Sequence, residues 1–501
     1  MRRLKNRRFR FTTRSPASAT TSREDMSSLS PSVSPAIEAA RAAAPQLAAL
    51  TPTQCGALLR DLSAVLGDHS DELIALADAE TRLGVPRLSG EVLRTRAQLE
   101  MFAEIAEEGA YLDVMIDTAD AEAVPAPRPD VRRMLVPLGP VAVFTASNFP
   151  FAFSVLGGDT ASALAAGCPV VVKAHEGHPR LTDRIAALAA RILPSGALTV
   201  VHGREAGRAL VTDPAVQAVG FTGSTTGGRA LFDLACARPD PIPFYGEIGS
   251  LNPVVITPAA LAERGPALAD QYVACVTRSQ GQLCTKPGLL FLPEGHTLDA
   301  RLGAAVDAVA PAPLLGSWIL DTYRTVLDEL AAHPAVHRIP VAPDHDDRAA
   351  DVPAATLLTV TAHDLRAHPE LQRECFGPAS LVVTYTSSED LLATLETLPG
   401  SLTATVHGRE DTDTRLARAI WSALRAGRLI WNDWPTGVAV TRAMHHGGPW
   451  PATTNPLHTS VGGTAIARWL RPLVHQNVPE SLLPEPLQTA NPWQVPQHMG
   501  Q

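Results

Sequence analysis

The chain has 501 residues, 45% hydrophobic and 19% charged, a globular composition that supplies roughly three domain-sized cores and excludes disorder along its length. Its formal net charge is -9, and residues 1–25 hold eight basic against two acidic residues, so the remaining body is more acidic still. That balance argues against nucleic acid as the main partner.

Six cysteines occur, with no CxxC pair and no zinc-like His/Cys spacing. Neither a disulfide framework nor a metal site is suggested, and a reducing cytoplasm is the natural reading. Lysine appears only at Lys5, Lys173 and Lys286, and arginine supplies the other basic residues.

Residues 1–25 are rich in Arg, Ser and Thr, as an organellar transit peptide is. The plainer reading is a disordered extension, or a start placed too early with Met26 the true one. Across 35–110, apolar residues recur at helical spacing: Leu58, Leu59, Leu62, Val65 and Leu66, then Leu73, Ile74, Leu76 and Ala77, then Leu93, Leu99, Phe102 and Ile105. They predict an antiparallel helical layer that is mostly core. The uncharged stretch 134–158 is long enough to raise the question of a membrane span. Pro137, Pro140, Pro150 and Asn148 make it a strand, a loop and a helix start instead, so no membrane partner is expected.

From 131 onward short apolar runs alternate with amphipathic segments. Strands are predicted at 141–144, 170–173, 198–202 and 216–221, and helices at 158–166, 183–193, 205–211 and 224–236. This alternation implies a parallel sheet with helices on both faces. A second α/β unit follows, with strands near 254–256, 289–292, 380–385, 404–407 and 429–432, and helices near 261–277, 322–332 and 413–426. The tail after 440 is rich in Gly, Pro and Thr and carries a short apolar stretch at 465–474.

Six places can carry chemistry. Cys284 sits between glycines in Gly281-Gln282-Leu283-Cys284-Thr285-Lys286-Pro287-Gly288, where a thiolate could face a cleft; a lone cysteine is otherwise a small buried hydrophobe. Glu247, among Gly246, Ile248 and Gly249, is expected to have its pKa raised by desolvation, which suits a general base. A loop carboxylate held by backbone amides is an equal alternative. Asn148 falls just past a predicted strand end, where an amide can donate to an oxyanion or simply cap a turn. The run Phe221-Thr222-Gly223-Ser224-Thr225-Thr226-Gly227-Gly228 is a strand followed by a helix start able to hold a pyrophosphate. Lys173 and Glu176 lie at another strand end, as ribose ligands or as a surface ion pair. Glu374 and Phe376, in a turn ending at Pro378, offer a carboxylate and a flat ring, or ordinary loop chemistry.

As an ordered set, Asn148, Lys173, Phe221 to Thr225, Glu247, Cys284 and Glu374 to Pro378 resemble the aldehyde dehydrogenase superfamily over about residues 35–480. Segments 136–144, 281–288, 447–454, 459–462 and 468–472 are most similar to its 2-oxoglutarate semialdehyde (2,5-dioxovalerate) dehydrogenases and their NADP-linked relatives. The resemblance implies an α/β fold with a Rossmann-type NAD(P)-binding domain at 26–248, including oligomerisation strands near 112–137. A catalytic domain at 249–445 and a C-terminal return and oligomerisation segment at 446–501 complete it, and a homodimer or homotetramer is implied.

It further implies an NAD(P)-dependent oxidation of an aldehyde to a carboxylate, without metal, with 2-oxoglutarate semialdehyde as the substrate. Cys284 would be the nucleophile, Asn148 and the Cys284 amide the oxyanion donors, and Glu247 the base for hydrolysis. Lys173 would face the adenosine ribose, Gly223 and Ser224 the pyrophosphate, and Glu374 with Phe376 the nicotinamide end. Two residues depart from the subgroup. Glu176 would repel a 2′-phosphate, leaning toward NAD over NADP, although Arg204 could offset it. Arg278, where relatives are apolar, would either pair with a substrate carboxylate in the tunnel or point to solvent. Rival readings are a broad aliphatic or aromatic aldehyde dehydrogenase, a silent cofactor-binding relative, and a CoA-acylating enzyme, the last opposed by the presence of Glu247.

Overall fold

In the computed structural model, residues 33–341 and 352–500 are described; the extension expected at 1–25 lies outside them. The chain begins with four helices, α1 (Val33–Ala48), α2 (Pro52–Asp68), α3 (Ser70–Thr81) and α4 (Val85–Glu108). A capping box starts α2: Thr51 Oγ1 accepts from Gln54 N at 3.3 Å while Gln54 Oε1 accepts from Thr51 N at 2.9 Å. On α4 the buried stripe runs through Leu88, Val92, Leu99 and Phe102, each such side chain stabilising the layer by about 1.5–3 kcal/mol. Leu93 corrects the expectation made of it. It is 64% exposed, because it lies outside that i, i+3, i+4 stripe.

The strands β1 (Val114–Asp117) and β2 (Val131–Pro137) come next, and then the first α/β unit. That unit comprises β3 (Val141–Phe144), α5 (Gly158–Ala165), β4 (Val170–Lys173), α6 (Pro179–Ala189), β5 (Leu198–Val201), α7 (Arg204–Thr212), β6 (Ala218–Thr222), α8 (Thr225–Cys236) and β7 (Phe244–Glu247). Uninterrupted Val-rich runs such as β4, buried at every residue, suit a sheet covered on both faces. Its order is β5-β4-β3-β6-β7, all parallel. The chain leaves β3 in one direction and returns on the other side at β6, so the topological switch opens a crevice at their carboxyl ends.

A second sheet is built from β8 (Val254–Ile256), α9 (Pro258–Thr277), β9 (Leu289–Pro293), α10 (Asp299–Asp307), α11 (Ser317–Ala331), β10 (His337–Arg338), β11 (Thr356–Thr361), α12 (Ala362–Ala367), β12 (Ala379–Tyr385), α13 (Ser388–Leu395), β13 (Ser401–His407), α14 (Glu410–Ala423) and β14 (Ala426–Trp431). Its order is β10-β11-β12-β9-β8-β13-β14, parallel except for the β10–β11 pair.

The tail then crosses back to the first unit. Arg468 and Trp469 are fully buried there, with Arg468 Nη2 2.7 Å from Asp159 Oδ1 and Trp469 Nε1 donating to Ser162 Oγ at 2.8 Å. Strands β15 (Leu470–Gln476) and β16 (Gln497–Met499) complete a four-stranded sheet of order β15-β2-β1-β16. β15 is an edge, and its Leu473 and Val474 are exposed. Among the described residues, no helix is long and apolar enough to cross a membrane.

Candidate active site

The two α/β units meet at the end of β7, and Glu247 is its last residue. The segment after Pro449 is laced to this strand. Thr454 Oγ1 accepts from Gly246 N at 2.8 Å and donates to Phe244 O at 2.6 Å, and Ile248 N donates to Ala452 O at 3.0 Å. Glu247 is thereby held rigidly in a buried position. Its Oε2 accepts from Ser460 Oγ at 2.9 Å, while Oε1 lies 3.1 Å from His446 Nε2 yet has no well-aligned donor. Burial pushes this carboxyl up, but His446, Ser460 and Cys284 outweigh it and hold it below its ordinary value. The expected upward shift is therefore corrected: Glu247 is a base already ionised at neutral pH.

Cys284 reaches the same point from the opposite unit. It follows a turn in which Ser279, Gln280 and Gly281 all have positive φ, 52°, 55° and 66°. Only glycine fits at 281, since a Cβ there would come within 2.0 Å of Gly377 O. The turn is pinned to the second sheet by buried Asn252, whose Nδ2 donates to Cys284 O at 2.8 Å and to Lys286 O at 2.9 Å. Cys284 Sγ then sits 3.4 Å from His446 Nε2. Burial, and then the Glu247 carboxylate, push the thiol well above its usual range, so the sulfur keeps its proton until a neighbour takes it. The ligand-type atoms of Glu247, Cys284 and His446 lie within 4.8 Å of one another, a spacing that also suits three donors of a thiophilic cation.

Asn148 follows β3 and is buried against the turn that leads to Cys284. Its Nδ2 donates to Gln282 O at 2.9 Å, which leaves the second N–H of the amide available. The backbone around it is fixed from α4. Arg87 Nη2 donates to Asn148 O at 2.7 Å and Nη1 pairs with Glu91 at 3.1 Å, while Glu91 Oε1 accepts from Phe151 N and Ala152 N at 2.8 and 3.0 Å.

Of the other expected positions, Lys173 ends β4 and Gly223 and Ser224 follow β6, at the carboxyl ends of the first sheet, while Glu374 and Phe376 precede β12 of the second. Ser224 caps α8 through Gly227 N at 3.2 Å. Helix geometry leaves the amides of Thr225 and Thr226 without partners inside the helix, facing the switch point beside Gly223. Lys173 Nζ is 2.8 Å from Glu176 Oε1. Partial burial raises Glu176, but Lys173 more than offsets that and the net shift is downward. Glu374 lies near Gly249 and is pushed up to about 7 by burial, with Lys286 opposing. Lys286 itself is buried and ties down the turn, donating to Cys375 O at 2.6 Å and Ala379 O at 2.7 Å. Phe376 is half-buried against the second unit's core. Arg278 is exposed on the turn after α9, its charge acting on Arg87 and Cys275.

A chain-wide family model, "Aldehyde dehydrogenase family", matches residues 5–450. The chain belongs to the aldehyde dehydrogenase family. As a member it is 48% identical over 455 residues to the Alpha-ketoglutaric semialdehyde dehydrogenase 2 of Azospirillum brasilense, covering 87% of this chain and 86% of that one. It is 40% identical over 464 residues to the Alpha-ketoglutaric semialdehyde dehydrogenase of Acinetobacter baylyi, covering 89% and 86%. Among solved structures, 1-pyrroline-5-carboxylate dehydrogenase from Thermus with bound NAD shares the fold at a TM-score of 0.76 and 21% identity, over 89% of this chain and 85% of that one. This aldehyde dehydrogenase places His446 and Ser460 beside its cysteine and carboxylate. The sequence reading missed both, because the His445-His446 pair and Ser460 stand in a Gly- and Thr-rich tail with no periodicity or spacing to mark them.

Proposed function

We propose that this aldehyde dehydrogenase oxidises 2-oxoglutarate semialdehyde to 2-oxoglutarate with NAD(P), through a thioester on Cys284. The observation that carries the mechanism is the cluster of Cys284, His446 and Glu247, with Asn148 tied through Gln282 O to the turn that carries Cys284. The substrate follows from likeness to two relatives named for it, over most of both chains.

The Cys284 thiol gives its proton to His446 Nε2, and the sulfur forms a bond to the aldehyde carbon. The carbonyl π pair moves to oxygen, where the remaining Asn148 N–H and the Cys284 amide receive it. A bound NAD(P) would supply the hydride acceptor for that carbon, and Cys284 would then hold the acyl group as a thioester. Glu247 then removes a proton from an attacking water, the C–S bond breaks, and the electron pair returns to sulfur. One aldehyde, one water and one oxidised cofactor give one carboxylate, one reduced cofactor and two protons.

The residues present suit a dinucleotide. The open N-terminus of α8 at the switch point suits a pyrophosphate, Lys173 with Glu176 suits ribose hydroxyls, and Glu374 with Phe376 stands at the nicotinamide end. The Glu176 carboxylate disfavours an added 2′-phosphate, so NAD is the preferred form. The exposed edge β15 supports pairing with a second copy, in a homodimer or homotetramer. Six free thiols support a cytoplasmic location.

Initial rates of reduced-cofactor formation at 340 nm test this reading. They cross NAD and NADP with 2-oxoglutarate semialdehyde, succinic semialdehyde and hexanal. A preference for the first aldehyde with NAD is expected. Equal or better rates with hexanal would leave the class standing and overturn the substrate.

A further inference from the structure

Two half-buried arginines hold one loop near the site with no carboxylate in direct contact among the described residues. Arg94 lies on α4 and Arg428 on β14, both half-buried. Both grip one loop: Arg94 Nη1 donates to Val438 O, and Arg428 donates to Gly437 O at 2.8 Å and to Pro435 O at 2.7 Å. In each, the Nε atom is buried with no hydrogen-bond partner. Among the described residues neither has a carboxylate within salt-bridge distance, since Glu91 is taken by Arg87 and by two backbone amides.

Burial lowers both guanidiniums from the ordinary arginine range, and the Cys284 sulfur is among the charges acting on each. The loop's Val438 packs with Phe149 against a cluster containing Ala146 and Phe153, and the Phe153 ring centroid is 6.4 Å from that of His446. An apolar collar therefore stands close to His446, next to two cations whose desolvation backbone carbonyls and the more distant Glu91, Glu247 and Asp433 offset only in part.

We propose that Arg94 and Arg428 form the subsite for the substrate's distal carboxylate, and that the semialdehyde supplies their missing counter-charge. Each guanidinium has an unused Nε–H, so a carboxylate can bind both cations while its aldehyde end reaches Cys284. The proposal rests on the semialdehyde reading above. It assigns recognition to these two residues rather than to Arg278, which the fold leaves exposed.

The test compares kcat/KM for 2-oxoglutarate semialdehyde and for pentanal, a neutral aldehyde of the same chain length, in wild type, Arg94→Gln and Arg428→Gln. In each variant the ratio of the two values falls about 10- to 100-fold, the worth of one hydrogen bond to a charged group. The fall comes mainly through KM for the carboxylated aldehyde. Equal losses on both aldehydes would show that the arginines only hold the 435–438 loop, and an unchanged ratio would show no part in recognition; either result overturns the assignment. Arg94→Lys and Arg428→Lys keep the charge but lose the planar fork, and they carry the same comparison if a glutamine variant fails to fold. A wild type with no preference for 2-oxoglutarate semialdehyde over pentanal would instead overturn the substrate reading itself. A wild-type preference that survives in all four variants would overturn the arginine assignment alone.

Discussion

Nε2 of His446 stands 3.4 Å from Sγ of Cys284, within hydrogen-bonding geometry. The contact decides how a thiol in this position becomes a nucleophile. Burial and the Glu247 carboxylate both push Cys284 up, so solvent alone leaves little thiolate at neutral pH. In the proposed reaction His446 takes this proton and leaves the sulfur free to attack. His446→Gln is expected to slow iodoacetamide alkylation of Cys284 at pH 7 by about 100-fold and to lower kcat in parallel. It should also move the alkylation profile to higher pH. An unchanged alkylation rate would remove His446 from this role.

Asn148 carries two amide protons, and Gln282 O takes only one. In the proposed reaction the second meets negative charge as it develops on the aldehyde oxygen. Asn148→Ala is expected to lower kcat by about 100-fold or more, with a smaller change in KM. Steady-state kinetics and circular dichroism on the same sample check it. A matching loss of folded protein would indicate that the Gln282 contact, not the oxyanion, was at stake.

Glu374 gives a pH signature. Burial pushes it up to about 7 from an ordinary 4.5, with Lys286 opposing. Between those values the folded state keeps a proton that the unfolded chain has released. Stability is therefore lost as pH rises through this window, and the cost levels off above about 7 at roughly 3 kcal/mol. Glu374→Gln removes the cost. Urea midpoints should show the variant gaining on wild type between pH 4.5 and 7.5 and holding that gain above. A constant difference across this range would contradict the assignment.

Much of the scaffold was legible because its strands are short, largely apolar runs rich in valine. β3, β4 and β8 fall where 141–144, 170–173 and 254–256 were expected. β11 escaped notice because Thr356–Thr361 has neither strict alternation nor a pure apolar run. Leu93 was misplaced because it sits one residue beyond the buried stripe of a long helix. At the candidate site, the glycine-flanked or strand-end settings of Cys284, Glu247 and Asn148 each allowed a bland reading as well, and only their order along the chain joined them. His446 is distant in sequence and brought in only by the returning tail. Arg94 and Arg428 look like ordinary surface arginines until the fold buries them. Arg278 drew attention by its nearness to Cys284 in sequence, but a turn of three left-handed residues separates the two.

The central claim is that Cys284 carries the acyl group and Glu247 directs its hydrolysis. Intact-mass spectrometry and peptide mapping of Glu247→Gln, mixed with NAD and 2-oxoglutarate semialdehyde, test it most directly. One acyl group per chain should accumulate on Cys284, alongside a burst of NADH equal to the enzyme concentration. Later turnover should be slower than wild type by about 100- to 1,000-fold. Turnover without a burst and with Cys284 unmodified, or an acyl group found on another residue, would contradict the account.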